Sequence, residues 1–197
     1  RYAQERRQFG RPIAEFGLIR QKLADSAAKY FLAESVTYRT GAMIDEAFAA
    51  LGGTVEGNRL AAEEFACECS ASKILATEAE AEIVDDCLQV FGGYGFTEEF
   101  PIARVYRDAR VSRIYEGTNE INRIFLADRL AKRLAPCDPW HKTDESSFVA
   151  ELAAKAYRRI ASSHAMENLG KSLDQRSVGA LSDLTMLAYA EQSARLR

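Results

Sequence analysis

The sequence predicts an all-α fold, an up-down helical bundle followed by a partial second helical unit. Two spans carry apolar residues at helical spacing with no interrupting proline, glycine-rich turns bound them, and no useful length alternates apolar and polar as a half-buried strand does. In the first span Phe16, Ile19, Leu23, Ala27, Tyr30, Thr37, Gly41 and Ile44 recur along one face, which predicts one long amphipathic helix from Phe16 to Ile44. Its tyrosines and phenylalanines are expected in the core. The stretch ALGGTVEGN, Ala50 to Asn58, ends it with three glycines and an Asn. A second long helix is expected from Arg59 to Val90, striped by Phe65, Cys69, Ser72, Ala76, Ile83, Cys87 and Val90. Long helices joined by a short loop pack antiparallel.

FGGYGF, Phe91 to Phe96, breaks the periodicity and is expected to be a loop. A short helix follows over Ile102 to Arg110, with Pro101 tolerated in its first turn. Thr118 is placed to cap a helix from Asn119 to Leu134. Two prolines and a polar run make residues 135–147 a linker. Beyond it, Phe148, Leu152, Ala156 and Ile160 mark one more helix, and Leu181, Leu184, Thr185 and Ala188 a last one. The expected organisation is a bundle over residues 1–134, the linker, and the start of a further helical region over 148–197. The chain begins at Arg1 without Met and ends with a helical pattern still running, so both ends are expected to be cuts.

Composition narrows the function classes. With 47% hydrophobic and 28% charged residues the chain is globular rather than disordered. A net charge of -3 gives no electrostatic footprint for nucleic acid, and the basic clusters RDARVSR (Arg107 to Arg113) and RLAKR (Arg129 to Arg133) are expected to be solvated helix faces. Cys67 and Cys69 lie in a helical pattern, Cys87 and Cys137 stand apart, and His141 and His164 are remote in sequence. No metal site is expected, and the cysteines are expected as reduced, mostly buried residues. No run of 18 apolar residues appears, so no transmembrane helix is expected.

Within RIYEGTNEINR, Arg113 to Arg123, the residues leave three roles open for Glu116: a solvated charge, a helix-capping group, or a catalytic base. Arg6 is equally open between surface charge and phosphate ligand. Arg7 and Arg11 are expected to be solvated. Arg123, beside Glu120 on a helix, is either a surface pair or a contact to a ligand.

Four signals stand in a fixed order: ERRQFGRPIAEFGLI (Glu5 to Ile19), a two-helix span, LQVFGGYGFTEEFP (Leu88 to Pro101) and RDARVSRIYEGTNEI (Arg107 to Ile121). Together they closely resemble the C-terminal helical domain of the acyl-CoA dehydrogenase family, over residues 1 to 134. The part beyond residue 135 is similar, in its presence and helical character, to the extra C-terminal region of the very-long-chain branch.

The resemblance implies an FAD-dependent enzyme that converts a fatty acyl-CoA to a trans-2-enoyl-CoA. Glu116 falls where the family places its α-proton base; the isovaleryl-type branch, which lacks Glu there, is disfavoured. The α-proton of a thioester is too weakly acidic for a carboxylate in water, so such a site desolvates its base and stabilises charge on the carbonyl oxygen. The resemblance puts Tyr115 and Gly117 at the substrate, and Thr118 and Glu120 near the cofactor. It also implies FAD contacts from Arg6, Gln8, Phe9, Phe16, Gly17, Gln89, Gly92 and Gly93, with Arg6 toward the pyrophosphate. The family's flavin lies across a subunit interface, which implies a homodimer or a dimer of dimers.

Further implied are electron-transfer flavoprotein as electron acceptor, and a location in the cytoplasm of a bacterium or at the mitochondrial matrix or inner-membrane surface of a eukaryote. Peripheral membrane association is a further option. Without the family's other domains, this chain alone is expected to be inactive. Two alternatives stay open: an acyl-CoA oxidase, and a non-catalytic assembly or binding protein on the same fold.

Overall fold

The computed structural model describes residues 1–134 and 175–196. The expected linker over 135–147, the helix marked by Phe148 to Ile160, and Cys137, His141 and His164 lie outside the described residues.

One helical turn, α1 (Tyr2–Glu5), leads into a feature the sequence reading did not anticipate. Strands β1 (Arg7–Gln8) and β2 (Arg11–Pro12) form a minimal antiparallel hairpin, pairing Arg7 with Pro12 and Gln8 with Arg11. Its two central residues, Phe9 (φ 51°) and Gly10 (φ 83°), both lie in the left-handed region, as a tight two-residue hairpin requires. A 3-10 turn (Ile13–Glu15) then feeds α2 (Gly17–Ala50), a helix of 34 residues.

α2 ends at Leu51 with Gly52 and Gly53 at positive φ, as the glycine signal predicts. The next helix starts earlier than expected and is broken. Thr54 caps α3 (Val55–Glu64) by accepting from the Gly57 N–H at 3.0 Å, and Phe65 separates α3 from α4 (Ala66–Phe91). A β-carbon on Gly57 would stand 2.7 Å from the Leu51 carbonyl oxygen, so the α2–α3 corner closes only over a glycine. FGGYGF is not wholly loop either: Gly92 ends α4 at φ 61°, and Gly93–Phe96 forms one helical turn, α5. Then come α6 (Ile102–Val111), α7 (Asn119–Leu134) and α8 (Gln175–Arg195), the last matching the final predicted helix.

α2 and α4 are antiparallel, shown by the pairs Lys22–Asp86, Lys29–Glu82 at 2.6 Å and Thr40–Ser72 at 2.9 Å. α6 runs back along α4: Phe100 before its start meets Phe91, and Ile102 and Ala109 pack on Val84. α7 then follows the direction of α4, with Lys73 facing Asn119 and Glu78 facing Arg123. α8 closes the ring against both α7 and α2, so α2, α4, α7 and α8 form a four-helix bundle. Its centre is Ala71, Ile74, Leu126 and Met186, all buried. Burying an Ile or Leu of this kind contributes about 1.5–3 kcal/mol. A second cluster, Val84, Ile102 and Ala109 with Phe91 and Phe100, seals the other end, where Tyr2 stacks on Phe91 at 4.0 Å.

The buried face of α2 is not the predicted stripe. Val36, Ser35 and Thr40 are buried, whereas Leu23, Tyr30, Phe31 and Tyr38 are exposed. Tyr30, Phe31 and Tyr38 therefore do not belong to this core. Cys67 is buried, Cys87 half-buried and Cys69 exposed, and no disulfide joins them. Among the described residues no group of His, Cys, Asp or Glu could hold a metal ion, and no helix is long and apolar enough to cross a membrane.

Candidate functional site

The link between α6 and α7 is a left-handed turn. Glu116 has φ 54° and Gly117 φ 84°. Glu116 is thus a non-glycine residue in a conformation that costs an L-residue about 1–3 kcal/mol. The surroundings fix it from several directions. The Asn122 amide donates to the carbonyls of Gly117 at 2.9 Å and Thr118 at 3.1 Å, and the Lys73 ammonium, reaching across from α4, donates to the Gly117 carbonyl at 2.9 Å. The Glu116 and Gly117 carbonyls, which lie outside the helix ladder, are satisfied this way, since Asn122 also approaches that of Glu116 at 3.4 Å; the Thr118 carbonyl in addition accepts the Asn122 backbone N–H at 2.9 Å.

Beneath the turn lies a polar network that the sequence reading missed. Asn119, 2% exposed, accepts from Lys73 at 2.6 Å and donates to Thr77 at 3.0 Å and to Glu78 at 3.2 Å. Glu78 receives Arg123 in a two-point pair at 2.7 and 2.9 Å. Arg123 also reaches Asp183 of α8 at 2.7 Å. Arg123 is therefore neither a partner of Glu120 on the surface nor a free ligand contact. Burial alone would raise the Glu78 carboxyl, but Arg123 outweighs it and holds the group below the usual carboxylate range. Glu78 and Asp183 in turn hold the Arg123 guanidinium above its ordinary value.

Thr118 caps α7, accepting from the Ile121 N–H at 3.3 Å, as expected. Glu120 belongs to the same cap. Its own backbone N–H, then the Thr118 hydroxyl, keep its carboxyl below the usual range. The Glu116 carboxylate is exposed and makes no hydrogen bond or ion pair among the described residues. Val111, Ile114, Tyr115 and Ile121, near it in sequence, are each half exposed or more, so the segment that carries the carboxylate also leaves apolar side chains uncovered.

The other candidate residues gather elsewhere. Arg6, Gln8, Gly92 and Gly93, brought together from the start of the chain and the end of α4, line a cleft of about 480 Å³ with Phe91 and Tyr94. Arg6 lies over the Tyr94 ring at 5.0 Å and has no carboxylate partner among the described residues. β-carbons on Gly92 and Gly93 would meet nothing within 4 Å, so the backbone there is open to an incoming group. Phe9, 91% exposed, stands edge-on to Phe16 at 6.2 Å, and Gly17 is exposed at the start of α2. Gln89 is exposed and does not line the cleft. Tyr94 was missed at the sequence level; its place beside Arg6 follows only from the fold. The cleft and the Glu116 turn lie at different heights on α4: from Phe91 to Lys73 is about 27 Å along the helix axis.

Comparison with known proteins places this arrangement. The family model described as acyl-CoA dehydrogenase, C-terminal domain, matches residues 1–131. A probable acyl-CoA dehydrogenase of Bacillus subtilis is 32% identical over all of this chain and 38% of its own length. The crystal structure of an acyl-CoA dehydrogenase from Bacillus anthracis, complexed with FAD, superposes with a TM-score of 0.84 at 36% identity, over 100% of this chain and 36% of that one. The mitochondrial very long-chain specific enzyme of Rattus norvegicus is 39% identical over 126 residues, 64% of this chain and 17% of the relative. The chain belongs to the acyl-CoA dehydrogenase family, through its C-terminal domain. It spans well under half the length of these relatives, and the two Bacillus proteins match it throughout.

Proposed function

We propose that this chain is the C-terminal part of an FAD-dependent acyl-CoA dehydrogenase that forms a trans-2-enoyl-CoA from a fatty acyl-CoA, with Glu116 as the base that removes the α-proton. The observation that carries this reading is the turn itself: a carboxylate with no partner among the described residues, on a residue at positive φ, in a turn pinned by Lys73 and Asn122 and flanked in sequence by exposed apolar side chains. Strain of this kind, held in place by its surroundings, clusters at functional positions.

An acyl chain laid over Val111, Ile114, Tyr115 and Ile121 would exclude water from the Glu116 carboxylate, and desolvation makes a carboxylate the stronger base that α-proton abstraction needs. The Glu116 N–H takes no part in the bonds that pin the turn, which leaves it available to the thioester oxygen where negative charge develops. Gly117 keeps the adjacent backbone free of a side chain. A bound flavin would supply the two-electron acceptor for the β-hydrogen, taken as hydride, while Glu116 takes the α-proton.

The residues of the cleft fit such a cofactor. Arg6 is a cation without a carboxylate partner among the described residues, suited to a pyrophosphate, and Gln8, Gly92 and Gly93 offer polar and backbone groups beside it. Thr118 and Glu120 belong to the Glu116 end, Phe9, Phe16, Gly17 and Gln89 to the other. The separation of the two ends along α4 supports two cofactors, each shared between copies of the protein, and hence a homodimer or a dimer of dimers. The exposed apolar residues of α2, among them Leu23, Tyr30 and Tyr38, give such a copy a surface to cover. Electron-transfer flavoprotein is the proposed acceptor of the electrons.

The test is anaerobic addition of saturated acyl-CoAs of increasing length to the complete protein, followed by the flavin's visible absorption. Bleaching identifies the substrate class and the preferred chain. No bleaching with any chain, FAD being bound, would exclude this function.

A further inference from the structure

The α8 helix grips one residue of α7 by two independent bonds. Ser182, fully buried, donates its hydroxyl to the Arg123 carbonyl at 2.7 Å, and Asp183 accepts from the Arg123 Nε at 2.7 Å. The other face of the same guanidinium holds both carboxylate oxygens of Glu78. Glu78 receives the Asn119 amide, and Asn119 shares the Lys73 ammonium with the Gly117 carbonyl. An unbroken chain of hydrogen bonds therefore runs from α8, a helix beyond the matched family domain, to the backbone of the Glu116 turn. The links through Asp183, Glu78 and Lys73 are charge-assisted, the Ser182 bond is neutral, and the Arg123 side chain at the centre is only 18% exposed, whereas Asp183 at the α8 end is half exposed.

We infer that Ser182 and Asp183 of α8 are positioning residues for the Glu116 turn, acting through Arg123, Glu78 and Asn119. An Arg123 held only by Glu78 could tilt toward solvent and take Glu78 with it, leaving Asn119 one partner short and the turn free to relax from its left-handed geometry. The C-terminal region thus acts on the base without touching it. The catalytic part of this inference rests on the function proposed above; the structural part does not.

The experiment uses the complete protein with Asp183→Asn, Ser182→Ala and, as a control further along the same helix, Glu191→Gln, which removes the carboxylate that pairs with Arg195. Hydrogen exchange is followed in the peptide from Arg113 to Arg123, whose Asn119, Ile121 and Asn122 amides report the turn. Asp183→Asn is expected to speed exchange there by about tenfold, as for loss of a charge-assisted hydrogen bond, and Ser182→Ala by less, as for a neutral one; neither changes exchange in the β1–β2 hairpin, and the control behaves as wild type. With acyl-CoA, kcat falls by roughly tenfold at constant KM and FAD content, as for a misplaced reacting group. Unchanged exchange in the 113–123 peptide overturns the inference whether or not the wild type turns over substrate. Faster exchange with unaltered kcat in an active enzyme overturns the positioning role. An inactive wild type overturns the proposed function alone, and the exchange result still decides whether α8 holds the turn.

Discussion

The side-chain amide of Asn122 donates to the Gly117 carbonyl at 2.9 Å, and the same nitrogen lies 3.0 Å from where a β-carbon on Gly117 would stand. Bond and close approach are one device: the amide can pin the turn only because residue 117 has no side chain. Gly117→Ala therefore meets two penalties, a β-carbon at φ 84° and displacement of Asn122. We predict a loss of about 1–3 kcal/mol. Gly53→Ala, at φ 65° with open space around it, is the control and should cost less. Thermal unfolding of the two variants compares them directly.

Asn119 is the least exposed polar group near the turn, and its amide serves Lys73, Thr77 and Glu78 at once. Asn119→Ala leaves these groups underbonded, and a destabilisation of about 1–3 kcal/mol is expected. Urea unfolding should show a lower midpoint with an unchanged slope. An effect within error of zero would mean that water replaces the amide.

Only part of this was legible in the sequence. Helix existence, the α2–α4 antiparallel pairing and the Thr118 cap all follow from local periodicity and turn chemistry, which act over a few residues. The buried face of α2 did not follow: its apolar stripe, Leu23 and Tyr30 included, points away from the core, and apolar periodicity marks a face to be covered without saying what covers it. The break at Phe65 was hidden because no Gly or Pro marks it. The network under the turn joins Lys73 and Glu78 to Asn119 and Arg123, residues more than 40 positions apart, and Asp183 lies further still. One local signal pointed there: Asn119 and Asn122 occupy the first helical turns with side chains that favour bonding to nearby backbone.

The Glu78–Arg123 pair makes a pH prediction. The Glu78 carboxyl is below its usual value in the fold, so its contribution to stability is complete above the unfolded carboxylate value of about 4.3 and is lost as pH falls through the lower folded value. Glu78→Gln should remove that part of the acid dependence. Measured by unfolding between about pH 2 and 6, the wild-type and variant stability curves are expected to converge toward the acid end; parallel curves would contradict the pairing.

Arg6 rests on the Tyr94 ring and pairs with no carboxylate among the described residues, so its removal should disturb the fold little. In the complete protein, Arg6→Ala is expected to lower the FAD-to-protein ratio after gel filtration, and Arg6→Lys to restore only part of it, because an ammonium cannot match the two-point geometry of a guanidinium on phosphate. Full retention of FAD by Arg6→Ala would remove the cleft from the cofactor site.

The most direct measurement is the anaerobic acyl-CoA titration of the complete protein carrying Glu116→Gln, beside the wild type. The amide keeps the size of the side chain and the turn's bonds, all of which are made by backbone carbonyls and other side chains, and removes only the base. Glu116 as the α-proton base predicts normal FAD binding and a flavin band that bleaches in the wild type and stays intact in the variant. Bleaching of both at similar rates would contradict it and assign proton removal to another group.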